Sequence, residues 1–298
     1  MAIPVGKREF DNLQALLALA RAEDLGAGDV TGELLPPDLH AEGHFVARAE
    51  LVLCGGPFLP AIAEAYDAEI GTELHLADGQ RAAGGAVLAS WSGPARAMLS
   101  AERVALNFLQ RLSGIATTTA RYVAEVAGTG AAILDTRKTT PGWRVLEKYA
   151  VRCGGGTNHR RGLYDAVLVK DNHLGVLAGS GEADPLAAIA DRLAEARRRL
   201  RPEGFVEVEV DTLDQLASAL KLPVDVILLD NMPASQLRRA VAIRNAAGLR
   251  GRVALEASGG VSLEVVRSVA GTGVERISVG ALTHSVAAAD IALDVALA

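Results

Sequence analysis

The sequence predicts an α/β protein whose greater part is a (β/α) barrel with fewer than eight strands. Short, β-branched apolar runs recur six times after residue 130, at 131–135, 165–169, 205–210, 224–229, 252–257 and 274–279. Helical patterns separate most of them, which implies parallel strands joined by right-handed crossovers. Polar or glycine-rich residues follow strand after strand: Thr136-Arg137-Lys138, Lys170-Asp171-Asn172, Glu209, Asp230-Asn231, Ser258-Gly259-Gly260 and Gly280. A doubly wound sheet gathers its chemistry at one switch point, whereas a barrel draws on several strand ends along one rim. Chemistry spread over all six strand ends favours the barrel, left incomplete because eight strands close one.

Composition agrees. The 298-residue chain carries a formal net charge of −6 and is 50% hydrophobic, yet only 4% aromatic. Its core must rest on Ala, Val, Leu and Ile, which suits buried parallel strands under Ala/Leu-rich helices. The length fits one large domain or two ordinary ones. No run approaches the ~18 uninterrupted apolar residues of a membrane span, and MAIPVGKREF has no apolar signal-peptide region. Cys54 and Cys153 are far apart and lack metal-ligand spacing, so the reducing cytoplasm is the expected compartment. Net acidity without a long basic run argues against nucleic acid as the main partner.

The first third reads as α+β. Phe10, Leu13, Leu16, Leu17 and Ala20 recur at helical spacing within residues 8–22. EDLGAGDVT is a turn, and no strand leads into its glycines as a dinucleotide fingerprint requires. Strand-like runs follow at 43–53, 70–76 and 86–91, with a short helix at 57–66. A helical pattern opens at Ser100, breaks near Ser113-Gly114 and resumes to Val126. Beyond it, DPLAAIADRLAEARRRL, LDQLASAL, ASQLRRAVAIRNA and LEVVRSVAG supply the helices between the later strands.

From Asp135 to His173 there are eight Lys or Arg residues against four acids, a local charge of +4 in an acidic protein. A charge run is usually a solvated face. Here Arg137-Lys138 and Lys170 directly follow apolar strands, and CGGG and NHRRGL lie between them in a stretch with few helix signals, as a binding loop would. Arginine offers a planar fork to carboxylates and phosphates, and lysine a point charge. Glu209 and Asp230, at neighbouring strand ends, are either a structural ion pair or groups for Mg²⁺, sugar hydroxyls or a developing cation. ASGGVS (257–262) and SVGALTHS (278–285) follow the last two strands, where barrels hold phosphate. Lys170 could alternatively be a Schiff-base nucleophile if burial lowered its pKa.

With these residues in place, the chain resembles the quinolinate phosphoribosyltransferases, also called carboxylating nicotinate-nucleotide pyrophosphorylases. DTRKTTPGWRVLEKYAVRCGGGTNHRRGLYDAVLVKDNH carries the resemblance, supported by SAERVALNFLQRLSGIAT, EVEVDTL, ILLDNM, EASGGV and ISVGALTHS. Trp143 departs from the pattern, which expects an aliphatic residue there. The resemblance implies an N-terminal α/β sandwich domain over 1–114, joined by the tail 286–298, and an open α/β barrel over 115–285. It implies phosphoribosyl transfer to quinolinate with loss of CO₂, in a cytoplasmic homodimer that uses Mg²⁺. Arg103 would reach the partner subunit's site, while Thr136, Arg137, Lys138, His159, Arg160 and Lys170 would meet quinolinate. Glu209 and Asp230 would serve the ribose and Mg²⁺. Ser258, Gly259, Gly260, Val279, Gly280, Ala281 and His284 would hold phosphate.

Three other readings stay open on sequence. One is a phosphoribosyltransferase for a different anionic heterocycle, the second a lyase using Lys170, and the third a non-catalytic anion binder. The last has no need for carboxylates such as Glu209 and Asp230 beside its anion.

Overall fold

The computed structural model describes residues 3–181 and 184–297, so residues 1, 2, 182, 183 and 298 of the expected domains lie outside the described residues. In chain order the elements begin with α1 (Lys7–Leu25), β1 (His40–Ala47), β2 (Leu51–Val52), α2 (Leu59–Tyr66), β3 (Gly71–Leu74), β4 (Arg81–Ala82), β5 (Val87–Pro94) and α3 (Ala95–Glu125). They continue with β6 (Ala132–Leu134), α4 (Arg144–Cys153), β7 (Val167–Val169), α5 (Asp171–Gly179), α6 (Pro185–Ala188), α7 (Ala190–Arg199), β8 (Val206–Val210) and α8 (Leu213–Ala219). The rest are β9 (Val226–Asp230), α9 (Ala234–Ala246), β10 (Ala254–Ser258), α10 (Leu263–Ala270), β11 (Arg276–Ser278), α11 (Ala281–His284) and β12 (Ile291–Leu297). None of the helices is long and apolar enough to cross a membrane, among the described residues.

Two compact units result. The first holds the chain up to Ala120, Lys138–Gly156 and the segment from Leu282; the second holds Arg121–Arg137 and Thr157–Ala281. The boundary expected at 114/115 and the boundary between the units at Ala120/Arg121 both fall within α3, and α4 lies in the first unit.

The first unit is built on a four-stranded antiparallel sheet of order β12-β1-β5-β3. Side chains on β1 alternate exposed and buried from His40 to Phe45, as a strand with one covered face requires. Phe45 meets Trp91 of β5 edge to face at 4.9 Å, and Gly43 leaves room for Met98 of α3. Sequence analysis expected no strand beyond 279; β12 pairs with β1 from Ala41↔Leu297 to Ala47↔Ile291.

Two expectations need correction here. Helix α3 begins five residues before Ser100 and runs through Ser113-Gly114 without a break. Gly114 is a crossing point instead: a Cβ there would overlap the Ala287 carbonyl oxygen, so glycine admits the 286–289 segment. Ser113 Oγ meanwhile bonds both the N–H and the carbonyl of Cys54, at 3.0 and 3.2 Å. The stretch around Arg144, read as loop, is the helix α4, which buries Leu146, Tyr149, Ala150, Val151 and Cys153. Its four charged residues mask that apolar face. Glu147 is fully buried and takes a charge-assisted bond from Arg111 at 2.7 Å, while Arg152 pairs with Glu9 at 2.7 Å. Trp143, the departure from the family pattern, stacks on Phe108 with ring centroids 4.8 Å apart.

The second unit is a six-stranded parallel sheet of order β6-β11-β10-β9-β8-β7, flanked by helices. Each strand but the first lies beside its predecessor or successor, and β6 sits beside the last strand, β11. The segment bridged to the outer edge of β6 reaches Glu207 of β8 and Glu256 of β10 through His159, so the sheet curls into a barrel open between β6 and β7. The 157–159 segment lies at that opening: Thr157 donates to Ile133 O at 2.8 Å and bridges to Leu134.

Register fixes which side chains share a face. Opposite one another stand Glu209 and Leu228, Leu228 and Glu256, Glu256 and Arg276, and Arg276 and Ala132. Paired residues in a sheet point to the same side, so these form one inward row. The row beyond it contains Asp230, Ser258, Ser278 and Leu134. Val206, Val208 and Val210 occupy the other face of β8 and are buried.

Replacing Gly114 with alanine should destabilise the protein by about 2 kcal/mol, because backbone rather than a flexible side chain meets the new methyl. A denaturant midpoint within error of the parent protein would show that the crossing segment yields freely.

Candidate active site

Within the second unit, three strand ends bring the expected residues to one rim. Thr136 and Arg137 follow β6 and are half-buried. Lys170 follows β7, and Glu209 lies at the end of β8; Lys170 Nζ is 3.0 Å from Glu209 Oε2, with Glu209 8% exposed and Lys170 45%. That pair engages the lysine nitrogen with a carboxylate rather than presenting it alone as a nucleophile.

His159 and Arg160 are both buried, in the turn that lies at the barrel opening. Asp135, just past β6, holds that turn: Oδ1 accepts the His159 N–H at 2.9 Å and Oδ2 accepts from Asn158 Nδ2 at 2.6 Å. The Arg160 guanidinium is pushed below its ordinary pKa, first by burial and then by the charge of Arg137. Two cations are thus held close enough to repel one another, and Glu207 offsets part of the repulsion.

Asp230 ends β9 and is half-buried. Its carboxyl is pushed up, first by burial and further by Asp211 and Asp171, against the bond it accepts from Asn231 Nδ2 at 2.5 Å. Asn231 adopts a left-handed conformation (φ 53°), and its N–H bonds to Ser258 O at 2.9 Å. Gly259 (φ 95°) packs directly on Asn231, where a Cβ would overlap the amide side chain, while Gly260 (φ 59°) faces open space. The turns after β9 and β10 therefore interlock through glycine, and α10 begins three residues further on.

Val279 differs from expectation. Its N–H goes to Leu134 O at 2.9 Å, across the β6–β11 seam, so it is not among the N–H groups that could hold a phosphate. Gly280 and Ala281 follow it in the second unit. Arg103, Lys138 and His284 fall in the first unit. Arg103 is exposed on α3, Lys138 is exposed with its carbonyl accepting from Thr283 Oγ1 at 2.7 Å, and His284 Nδ1 lies 2.6 Å from Ser285 Oγ.

Sequence analysis missed a buried ionic group inside the barrel. Glu207 and Glu256 are fully buried. His159 Nε2 lies 2.8 Å from Glu207 Oε2 and 3.5 Å from Glu256 Oε1, and Arg276 Nε lies 2.6 Å from Glu256 Oε2. The signal was present: charged residues in the middle of the runs FVEVEV, RVALEA and VERISV, where a buried strand is otherwise apolar. Burial pushes Glu207 up to about 7, against the pull of Arg276 and Arg160. Glu256 is raised by burial and by Glu207.

Charged side chains gathered at the strand ends of an open parallel barrel place the chain among the α/β-barrel enzymes. Comparison with known proteins narrows that class. Residues 115–294 match the C-terminal domain of the quinolinate phosphoribosyl transferase family and residues 29–113 its N-terminal domain. The chain is 41% identical over 285 residues to a Bacillus subtilis protein named probable nicotinate-nucleotide pyrophosphorylase [carboxylating], covering 96% of this chain and 94% of that one. It is 43% identical over 290 residues to the Mycobacterium leprae nicotinate-nucleotide pyrophosphorylase [carboxylating], covering 96% and 98%. The solved structure of the Francisella tularensis nicotinate-nucleotide pyrophosphorylase superposes with a TM-score of 0.87 at 37% identity, covering 96% of each chain. The chain belongs to the quinolinate phosphoribosyl transferase family.

Glu207 gives the fold a pH signature. Its folded pKa of about 7 lies above the ordinary carboxylate range, so the folded protein keeps a proton that the unfolded chain releases near 4.5. The stabilisation is complete below that lower value and is lost as pH rises through about 7. Glu207→Gln should therefore gain thermal midpoint relative to the parent between about pH 5 and pH 8. Parallel curves for the two proteins would contradict the assignment.

Proposed function

We propose that this chain transfers the phosphoribosyl group of phosphoribosyl pyrophosphate to quinolinate, giving nicotinate mononucleotide, pyrophosphate and CO₂ for NAD synthesis. The observation that carries this reading is the gathering of Arg137, buried Arg160 and Lys170 in the segments that follow the barrel strands, on a chain whose two domains both match the family. Arginine forks and a lysine so placed suit a multiply charged anion. Family membership over both domains supplies the reaction.

The chemistry fits the side chains. Quinolinate's ring nitrogen forms a bond to the ribose anomeric carbon as the bond to pyrophosphate oxygen breaks. Positive charge develops on the ribose, and Glu209 and Asp230 at adjacent strand ends supply negative potential beside it. Arg137, Arg160 and Lys170, with Lys138, neutralise the substrate carboxylates and the leaving group. With the ring nitrogen quaternised, the adjacent carboxylate leaves as CO₂; its bonding electrons pass to the ring, and the ring carbon takes up a proton. The 258–260 turn and the start of α10, with Gly280 and Ala281, offer N–H groups for the 5′-phosphate.

Mg²⁺ suits the same rim. The carboxyl of Asp230 is raised first by burial and further by Asp211 and Asp171, and a divalent cation would relieve that repulsion. Asp230 would hold it with the substrate's pyrophosphate, Glu209 acting through the ribose, and the ion would screen the departing charge. Exposed Arg103 on α3 supports a head-to-tail homodimer in which it reaches the partner subunit's substrate. We place the enzyme in the cytoplasm.

Purified protein should release pyrophosphate and form nicotinate mononucleotide from quinolinate but not from nicotinate; failure to release pyrophosphate would sink the assignment. Arg137→Ala and Arg160→Ala should each lower kcat/KM for quinolinate by about 100-fold, the expected cost of removing one partner of a buried charged contact. Near-normal turnover in either variant would remove that residue from the pocket. Chelation of divalent ions should abolish pyrophosphate release, and added Mg²⁺ should restore it; undiminished turnover after chelation would exclude the metal.

A further inference from the structure

The buried group beneath Arg160 has a geometry that decides what His159 can do. An imidazole has two nitrogens, and the fold uses both. Nδ1 accepts the backbone N–H of Arg160 at 2.7 Å, and Nε2 faces Glu207 Oε2 at 2.8 Å. A nitrogen that accepts carries no hydrogen, so the ring proton sits on Nε2 and is donated to Glu207. The ring's flank is fixed as well. Phe205 packs edge-on to it with centroids 5.2 Å apart, and Arg276 lies 5.2 Å over the Phe205 ring while bonding Glu256. His159, Glu256, Arg276 and Phe205 close a cycle, with Glu207 bonded to its histidine. The His159 side chain is 6% exposed.

We propose that Glu207 is a positioning residue: through His159 it holds the Arg160 backbone and so aims the Arg160 guanidinium. Asp135 makes the complementary hold, taking the His159 N–H at 2.9 Å from the end of the neighbouring β6. The turn at the barrel opening is thus clamped from β6 through Asp135 and from β8 through Glu207. Arg160 inherits its direction from that clamp, as a guanidinium fork needs if it is to meet a carboxylate with both nitrogens. The inference rests on the reading that Arg160 meets quinolinate.

The test compares Glu207→Gln with Glu207→Ala in the complete enzyme. The glutamine oxygen still accepts from Nε2, so its KM for quinolinate should stay within about 3-fold, whereas alanine should raise it about 10-fold or more. The KM for phosphoribosyl pyrophosphate should move less than about 2-fold in both, because the clamp serves Arg160 alone. Equal losses in the two variants, or matched rises in both KM values, would overturn the proposal.

A second measurement needs no variant that might misfold. In ¹⁵N-histidine NMR spectra of the parent protein, His159 should be in the Nε2–H form and remain so at saturating quinolinate. Conversion to the imidazolium or to the Nδ1–H form on adding quinolinate would overturn the proposal. Calorimetry on Arg160→Ala separates the two levels of inference. If that variant binds quinolinate like the parent, the pocket reading fails; if it loses binding while Glu207→Ala keeps it, only the role of Glu207 fails.

Discussion

The hydrogen bond from His159 Nε2 to Glu207 is the contact on which the candidate site depends. It joins a turn at the open edge of the barrel to an interior strand. Removing one partner of such a buried polar pair costs about 3–5 kcal/mol, because the other is left without compensation. The curled sheet makes the bond possible, since it lets side chains from β8 and β10 converge on one imidazole. A flat sheet of the same strand order would keep them in separate columns. Closure of the barrel and assembly of the rim are therefore one requirement.

Charge balance inside the barrel follows from the same constraint. Glu207 and Glu256 face Arg276 and a histidine whose Nδ1 is occupied by a backbone N–H. Two carboxylates against one guanidinium leave an excess of negative charge, and the raised pKa values of both acids show the strain. Arg160 feels the like charge of Arg137, and Glu207 offsets part of that repulsion. Each half is costly alone, and together they tolerate burial that neither would by itself. The substrate's carboxylates would complete the balance from the solvent side.

Much of this was legible in the sequence because parallel strands announce themselves. Six β-branched runs became β6 to β11, and the residues placed after them lie at their ends, Lys170 beside Glu209 among them. What stayed hidden had physical reasons. Helix α4 carries Arg144, Glu147, Lys148 and Arg152 within ten residues, and two of those charges are buried, which blurs the apolar periodicity. Ser113-Gly114 reads as a break because glycine usually interrupts helices, whereas here it admits a crossing backbone. His159 was read from the sequence as a further donor in the basic segment, and as a quinolinate contact through the family resemblance. That both its nitrogens turn inward, and that the Val279 N–H is taken up by the seam, depends on packing between distant segments.

The pairing of β12 with β1 bears on how the chain comes off the ribosome. Strand β1 ends at Ala47, and its partner begins at Ile291. Everything in the second unit is synthesised between them. At about 5–20 residues per second, β1 waits tens of seconds with one edge uncovered. An uncovered strand edge is a template for pairing with another chain. The first unit to emerge is therefore the last to be completed, and its β1 edge is the one that needs shielding during that interval.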